Sequence, residues 1–224
     1  MKVLSIIGQK GGSGKTTLSL SLAVAAQRDG KSVAIIDLDS QASACKWGDR
    51  RNADPPVVSI QAARLTNYLA TAREHGAEFV IIDTPPRAAD AAMAAAKAAD
   101  LILIPCRPEI KEIETLATAR QLIASTGTKA PVFVVLNGLP PGGKQARLDA
   151  VASVEGEGLL AAPVGLSYRA AYKYADILGQ TPQEYEADGK AGEEIEQVYK
   201  FACKQINTST IKQETPHGRQ AKSA

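Results

Sequence analysis

Val3-Leu4-Ser5-Ile6-Ile7 leads straight into Gly8-Gln9-Lys10-Gly11-Gly12-Ser13-Gly14-Lys15-Thr16-Thr17, and that loop leads into Leu18-Ser19-Leu20-Ser21-Leu22-Ala23. The order reads as a buried strand, a glycine-rich loop and a helix. Glycines are needed because the backbone must curl tightly and turn several N–H groups inward around phosphate oxygens, a path that side chains would block. The helix opening near Lys15 adds the positive end of its dipole to the same anion site. Lys15 is then placed to reach the β- and γ-phosphates as a point charge, and the Thr16 hydroxyl to ligate Mg²⁺.

The loop departs from the strict G-x-x-x-x-G-K-[ST] pattern, whose first glycine would fall at Gln9. What stands instead begins at Lys10, a second lysine at the head of the loop, and runs to Thr17. This resembles the deviant Walker A motif, K-G-G-x-G-K-T-T, of the ParA/MinD family of ATPases, and later motifs extend the resemblance over roughly the whole chain before its tail. The resemblance implies that Gly11, Gly12, Ser13, Gly14, Lys15, Thr16 and Thr17 bind ATP. It also implies that Lys10 reaches across a nucleotide-sandwich dimer to the phosphates on the other subunit, as an arginine finger does. Read alone, Lys10 is a solvated charge beside a loop; the surrounding glycines, strand and helix favour the other reading.

The 224 residues suit one sizeable α/β domain. Hydrophobic residues at 45% and charged residues at 22% are ordinary for a globular chain, and aromatics at 4% leave the core to Ala, Val, Ile and Leu. A net charge of +2 gives no global sign of a nucleic-acid binder, so such binding would need a local patch. Cys45, Cys106 and Cys203 are odd in number and widely spaced, which argues against a disulfide framework or a zinc site. Met1-Lys2-Val3 enters the first strand directly and no apolar run reaches membrane-span length, so the expectation is a cytoplasmic protein without a membrane partner.

Lys31-Ser32-Val33-Ala34-Ile35-Ile36 reads as a second buried strand, ending in Asp37-Leu38-Asp39-Ser40-Gln41. In open α/β sheets chemistry gathers at the carboxyl ends of strands, and alternation places Asp37 and Asp39 on one side of theirs. Two close carboxylates need a nearby cation, which Mg²⁺ beside phosphates would supply. D-x-D-x-Q followed by Trp47 resembles the D-x-D-P-Q signature of ParA proteins, with Ser40 in the proline position. By that resemblance Asp39 positions or activates the attacking water and Asp37 supports the metal. Phe79-Val80-Ile81-Ile82-Asp83-Thr84-Pro85-Pro86 has the form of a Walker B strand whose terminal Asp83 holds Mg²⁺. In the family the turn after it senses the γ-phosphate.

Two further buried strands, Leu101–Pro105 and Pro131–Asn137, are separated by a helix over about 110–125. The alternation predicts a P-loop NTPase-like fold: a mostly parallel twisted sheet with helices on both faces. Asn137 resembles the position that contacts adenine in related proteins, and equally suits the capping of a turn. Tyr168 to Leu178 is predicted helical before Gly179, with Arg169 and Lys173 four apart; together they either begin a DNA-contacting patch or form a solvated face. A last helix runs from Ala191 to about Ile206. The domain is placed at 1–207, and 208–224 is expected to be a polar, basic tail too poor in apolar residues to fold alone.

The resemblance implies a Mg-ATP hydrolase acting as an ATP-dependent homodimer. With a start at the first strand and no amphipathic membrane helix in the tail, the nearest type is the small plasmid-partition ParA. Such a protein is nucleoid-associated, binds non-specific DNA in its ATP state and is released when a ParB-like centromere-binding partner stimulates hydrolysis. A ParA-like ATPase that positions a protein cluster or microcompartment shares every motif. A redox ATPase like the nitrogenase iron protein shares the loop but needs two cluster-bridging cysteines, for which Cys45 and Cys106 lack a recognised context.

Overall fold

The computed structural model describes residues 1–213, with side chains through Thr208. Its elements are β1 (Lys2–Ile6), α1 (Lys15–Arg28), β2 (Val33–Asp37), α2 (Ser43–Arg51), β3 (Val57–Ser59), a 3-10 turn (Ala62–Arg64), α3 (Leu65–Glu74), β4 (Phe79–Asp83), α4 (Ala89–Ala98) and β5 (Leu101–Cys106). There follow α5 (Ile110–Ile113), α6 (Thr115–Ser125), β6 (Val132–Leu139), α7 (Lys144–Gly156), β7 (Leu160–Ala161), β8 (Leu166–Ser167), α8 (Ala170–Ile177), α9 (Pro182–Tyr185) and α10 (Lys190–Gln213). The sheet has the order β3-β2-β4-β1-β5-β6-β7, with β8 beside β6. The pairings are parallel throughout.

Both sheet faces are covered, which explains strands that read as continuous apolar runs. Leu4, Ile6, Ile35, Ile81, Leu101 and Leu103 pack with α1 and α10 on one side. Val3, Ile36, Val80, Ile82, Ile102 and Ile104 pack with α3, α4 and α6 on the other. Each such fully buried aliphatic side chain contributes about 1.5–3 kcal/mol relative to exposure. α1 is buried nearly all round, from Leu18 through Ala26, because it lies between the sheet and α10. The apolar stripe at Leu18, Leu22 and Ala25 is therefore only part of its contact surface.

The expected elements are present, with differences. The helix over 110–125 breaks at Glu114 into α5 and α6. α4, α7, α9, β3, β7 and β8 had no counterpart in the sequence reading. The last helix continues to Gln213, past the boundary at 207, and 214–224 of the expected tail lie outside the described residues.

α2 is a rod that ties the loop after β2 to the α8–α9 pair. Trp47, 1% exposed, donates through Nε1 to Gln180 O at 3.1 Å. Arg51 makes a bidentate pair with Glu184 at 2.8 and 2.7 Å and lies over the Trp47 ring. Gly179, at φ +65°, lets α8 end against this rod: a Cβ there would sit 2.5 Å from the Arg51 backbone nitrogen.

Candidate nucleotide-binding site

The carboxyl ends of β1, β4, β2, β5 and β6 open on one edge of the sheet, and the loop of residues 8–14 lies across its centre. Gly14 caps α1 in the left-handed region, φ +94°, and a Cβ there would collide with the Asn137 side chain. Asn137 Nδ2 donates to Ser13 O at 2.7 Å, so β6 holds the loop from behind. The first N–H of α1 to bond back is that of Leu18, to Gly14 O at 2.9 Å. The N–H groups of residues 11–17 have no acceptor among the described residues. Seven adjacent unpaired donors at a helix N-terminus form an anion site whose natural complement is a run of phosphate oxygens.

Lys15, 6% exposed, folds its ammonium back to Lys10 O at 3.0 Å. Burial lowers its pKa, against the opposing pull of Asp83, Asp39 and Glu112. Thr16 Oγ1 donates to Asp83 Oδ2 at 2.7 Å and Ser19 Oγ to Asp83 Oδ1 at 3.1 Å. Asp83 stands in register with Ile6 of β1 and Asp37 of β2. Burial pushes its carboxyl up to about 7, and Asp37 adds to the rise, while Thr16, Ser19 and Lys15 draw it back. A carboxyl whose pKa is raised on folding supports the fold below its ordinary value of 3.8, and that support is lost as pH climbs through about 7. The loss is on the order of 4 kcal/mol at constant other interactions. In nucleotide-free protein, Asp83→Asn should therefore flatten the fall in melting temperature between pH 5 and 8. Equal slopes for parent and variant would refute this assignment.

Asp37 is fully buried and turns its carboxylate toward backbone. Oδ1 accepts Asp39 N–H at 2.9 Å, and Oδ2 accepts Ala44 and Cys45 N–H at 2.9 and 3.4 Å. It thereby caps α2 and shapes the loop that carries Asp39. These oxygens are directed at the Asp39 loop and the start of α2, and Asp37 stands in register beside Asp83 on the neighbouring strand. Burial raises the Asp37 pKa, and these three N–H groups oppose it. Asp39 is half-buried, its Oδ1 accepting Gln41 N–H at 2.9 Å, and it lies close enough to Lys15 to act on its charge.

Beside the loop opens a cleft of ≈ 570 Å³, lined by Gly12, Gly14, Arg107, Asn137, Tyr168 and Lys173 among others. That is room for a nucleoside next to the phosphate site. The pairing of Arg169 with Lys173 on one helix face is corrected. Arg169 precedes α8 in extended backbone, and its guanidinium is held by Glu194 at 2.7 Å. Lys173 is exposed on α8 and lines the cleft.

A family model described as "CbiA: CobQ/CobB/MinD/ParA nucleotide binding domain" matches residues 4–182. The chain belongs to this family. Among the MinD/ParA relatives, "Maintenance of carboxysome distribution protein A" of Gloeobacter kilaueensis is 33% identical over 138 residues, which is 59% of this chain and 62% of the relative. "Protein ParA" of Rhizobium radiobacter is 28% identical over 126 residues, 55% of this chain and 57% of the relative. The matches thus span roughly three fifths of these curated relatives. An ATP complex of a Cyanothece McdA variant superposes with TM-score 0.74 at 18% identity, covering 92% of this chain and 96% of the other. MinD of Pyrococcus horikoshii complexed with Mg-ADP gives 0.72 at 15%, covering 93% and 98%. At those identities the likeness establishes the MinD/ParA fold.

The donor set fits the magnesium and nucleotide that this family handles: unpaired loop amides, a buried lysine, and the Thr16 hydroxyl against a buried carboxyl. Among the described residues no cluster of three His, Cys, Asp or Glu side chains could hold a metal alone, so phosphates and water would complete a magnesium shell. Sequence reading missed Arg107, whose Nη2 donates to Gly12 O at 2.6 Å, and Glu112, 3% exposed, whose Oε2 accepts Arg107 N–H at 2.9 Å. The strand-end rule that singled out Asp37 and Asp83, applied to β5, points to Arg107. Nothing in the sequence marks Glu112 as a buried acid. No described helix is long and apolar enough to cross a membrane.

Proposed function

We propose that this chain is a Mg-ATP-dependent ATPase that hydrolyses as a homodimer, binds non-specific DNA in its ATP state, and is released when a ParB-like partner stimulates hydrolysis. The reading is carried by the run of unpaired amides at residues 11–17 beside Lys15 and the Thr16–Asp83 pair. In it, the amides and Lys15 hold the β- and γ-phosphates, Asn137 braces the loop and borders the base cleft, and Thr16 and Asp83 face the metal position. Mg²⁺ would neutralise charge between the β- and γ-phosphates. Asp39 orients water for in-line attack on the γ-phosphorus, and the bond to the β-phosphate oxygen breaks to give ADP and inorganic phosphate. Asp37 keeps the Asp39 loop in shape. Lys10 of a second subunit completes the pocket, making hydrolysis dimer-dependent and ATP the link between subunits.

Lys15→Ala tests the nucleotide reading. Removing a buried charge that faces phosphate should weaken ATP binding about 10²–10³-fold, measured by titration with a fluorescent ATP analogue, and should abolish ATP-dependent retention on DNA. Unchanged affinity would end the proposal at its first step. DNA retention independent of nucleotide would remove the switch while leaving the ATPase. Lys173, exposed on α8, is the candidate for DNA contact, and the salt dependence of retention counts the basic contacts involved.

A second reading has its own support in the carboxysome-distribution relative. In it, the same ATP-driven DNA cycle positions a protein cluster or microcompartment in place of a plasmid. Stimulation of phosphate release by the product of the neighbouring gene separates the two: a centromere-binding protein supports partition, and a shell-associated protein supports cluster positioning.

A further inference from the structure

Lys10, given a role above in the pocket of a second subunit, is engaged here within its own chain. Its Nζ is 3.8 Å from Glu112 Oε1, with Lys10 36% and Glu112 3% exposed. The two halves of Lys10 are held differently. Its carbonyl is fixed by Lys15 Nζ at 3.0 Å and Ser13 Oγ at 3.3 Å, so the main chain belongs to the phosphate loop. The side chain has one ionic partner, at long range, and can change it without moving the loop. Glu112 is anchored whether or not Lys10 is present, because Oε2 accepts Arg107 N–H at 2.9 Å. Arg107 Nε also stands 4.0 Å from the same Oε1 that faces Lys10. When Lys10 departs, Glu112 is therefore not left as an uncompensated buried charge.

We propose that Glu112 is a latch for Lys10, a positioning residue that holds the lysine in its own subunit until a nucleotide-bound second copy presents a stronger anion. The inference rests on Lys10 acting in trans. A triphosphate offers several negative charges against the one on Glu112, so ATP in the second copy draws the side chain across. A diphosphate offers fewer, and Lys10 returns to Glu112. The latch thus raises the nucleotide threshold for dimer formation and keeps Lys10 from lying extended in solvent or settling on an empty partner.

Glu112→Gln tests this. The amide oxygen can still accept from Arg107 N–H, but the charge facing Lys10 is gone. Sedimentation velocity with a slowly hydrolysed ATP analogue should show dimers about three- to tenfold tighter than in the parent, the size of a half-exposed ion pair. Glu112→Asp, which withdraws the carboxylate from a contact already at its limit, should shift the same way and serves if the glutamine variant does not fold. In a Lys10→Ala background, Glu112→Gln should leave the dimer constant unchanged, an outcome that a purely structural role for Glu112 does not produce. A dimer constant that is unaltered or weaker in both Glu112 variants, while Lys10→Ala still loses hydrolysis, overturns the latch and leaves the trans lysine standing. Normal hydrolysis in Lys10→Ala overturns both.

Discussion

Lys10→Ala should leave ATP binding within about threefold of the parent and slow hydrolysis about 10³–10⁵-fold, the range of a cation supplied to phosphoryl transfer from a second subunit. Lys15 is buried against its own loop, where it would meet phosphates bound by its own chain, whereas Lys10 is partly exposed and turned to the rim beside Glu112. A cation at the rim adds little to binding within one chain, so its removal should be felt only where a second chain's phosphate comes within reach. Phosphate release followed against protein concentration makes the test. The parent rate per subunit should rise with concentration as dimers form, and the variant should stay flat and low. Rates that match the parent at every concentration would reduce this chain to a nucleotide binder whose pocket is complete in one copy.

Asp39→Ala should slow hydrolysis about 10²–10⁴-fold, the usual contribution of a positioned general base, while preserving nucleotide binding and the ATP-bound dimer. The separation is possible because loop shape does not depend on the Asp39 carboxylate alone. Asp37 takes the Asp39 N–H and caps α2, and these bonds survive the substitution. On the proposed cycle the variant should therefore persist on DNA after ATP addition under conditions that release the parent. Dissociation kinetics from immobilised DNA supply the measurement. A variant released as fast as the parent would move the water-positioning role elsewhere, with the Thr84 turn the next place to look, since Thr84 Oγ1 is committed to Ile6 O at 2.8 Å beside the loop.

The two kinds of residue in this site differ in how they could be found. Residues that act through backbone geometry or strand position were legible. Gly14 must take a positive φ where the chain turns into α1, and Asp83 must end a strand that reaches the loop, so spacing alone points to both. Residues that act through packing were not. Glu112 lies on a one-turn helix that the sequence merges with α6, and only the return of α5 against β5 and the loop head puts its carboxylate beside Lys10 and Arg107. Arg169 shows the converse. Its spacing to Lys173 suggested a shared helix face, but α8 begins one residue later, and Glu194 from α10 takes the guanidinium.

The local chain determined the strand, loop and helix of the phosphate site, the order of strands and helices, and the carboxylates at strand ends, because backbone sterics, hydrophobic periodicity and glycine requirements act over a few residues. Tertiary structure alone decided that Asp37 serves a helix start, that α2 bridges the Asp39 loop to α8 and α9, and that Lys10 rests on Glu112. Each of those depends on which charged group and which backbone donor are brought together across many residues of sequence, and buried charge can be matched only after the packing that desolvates it has formed.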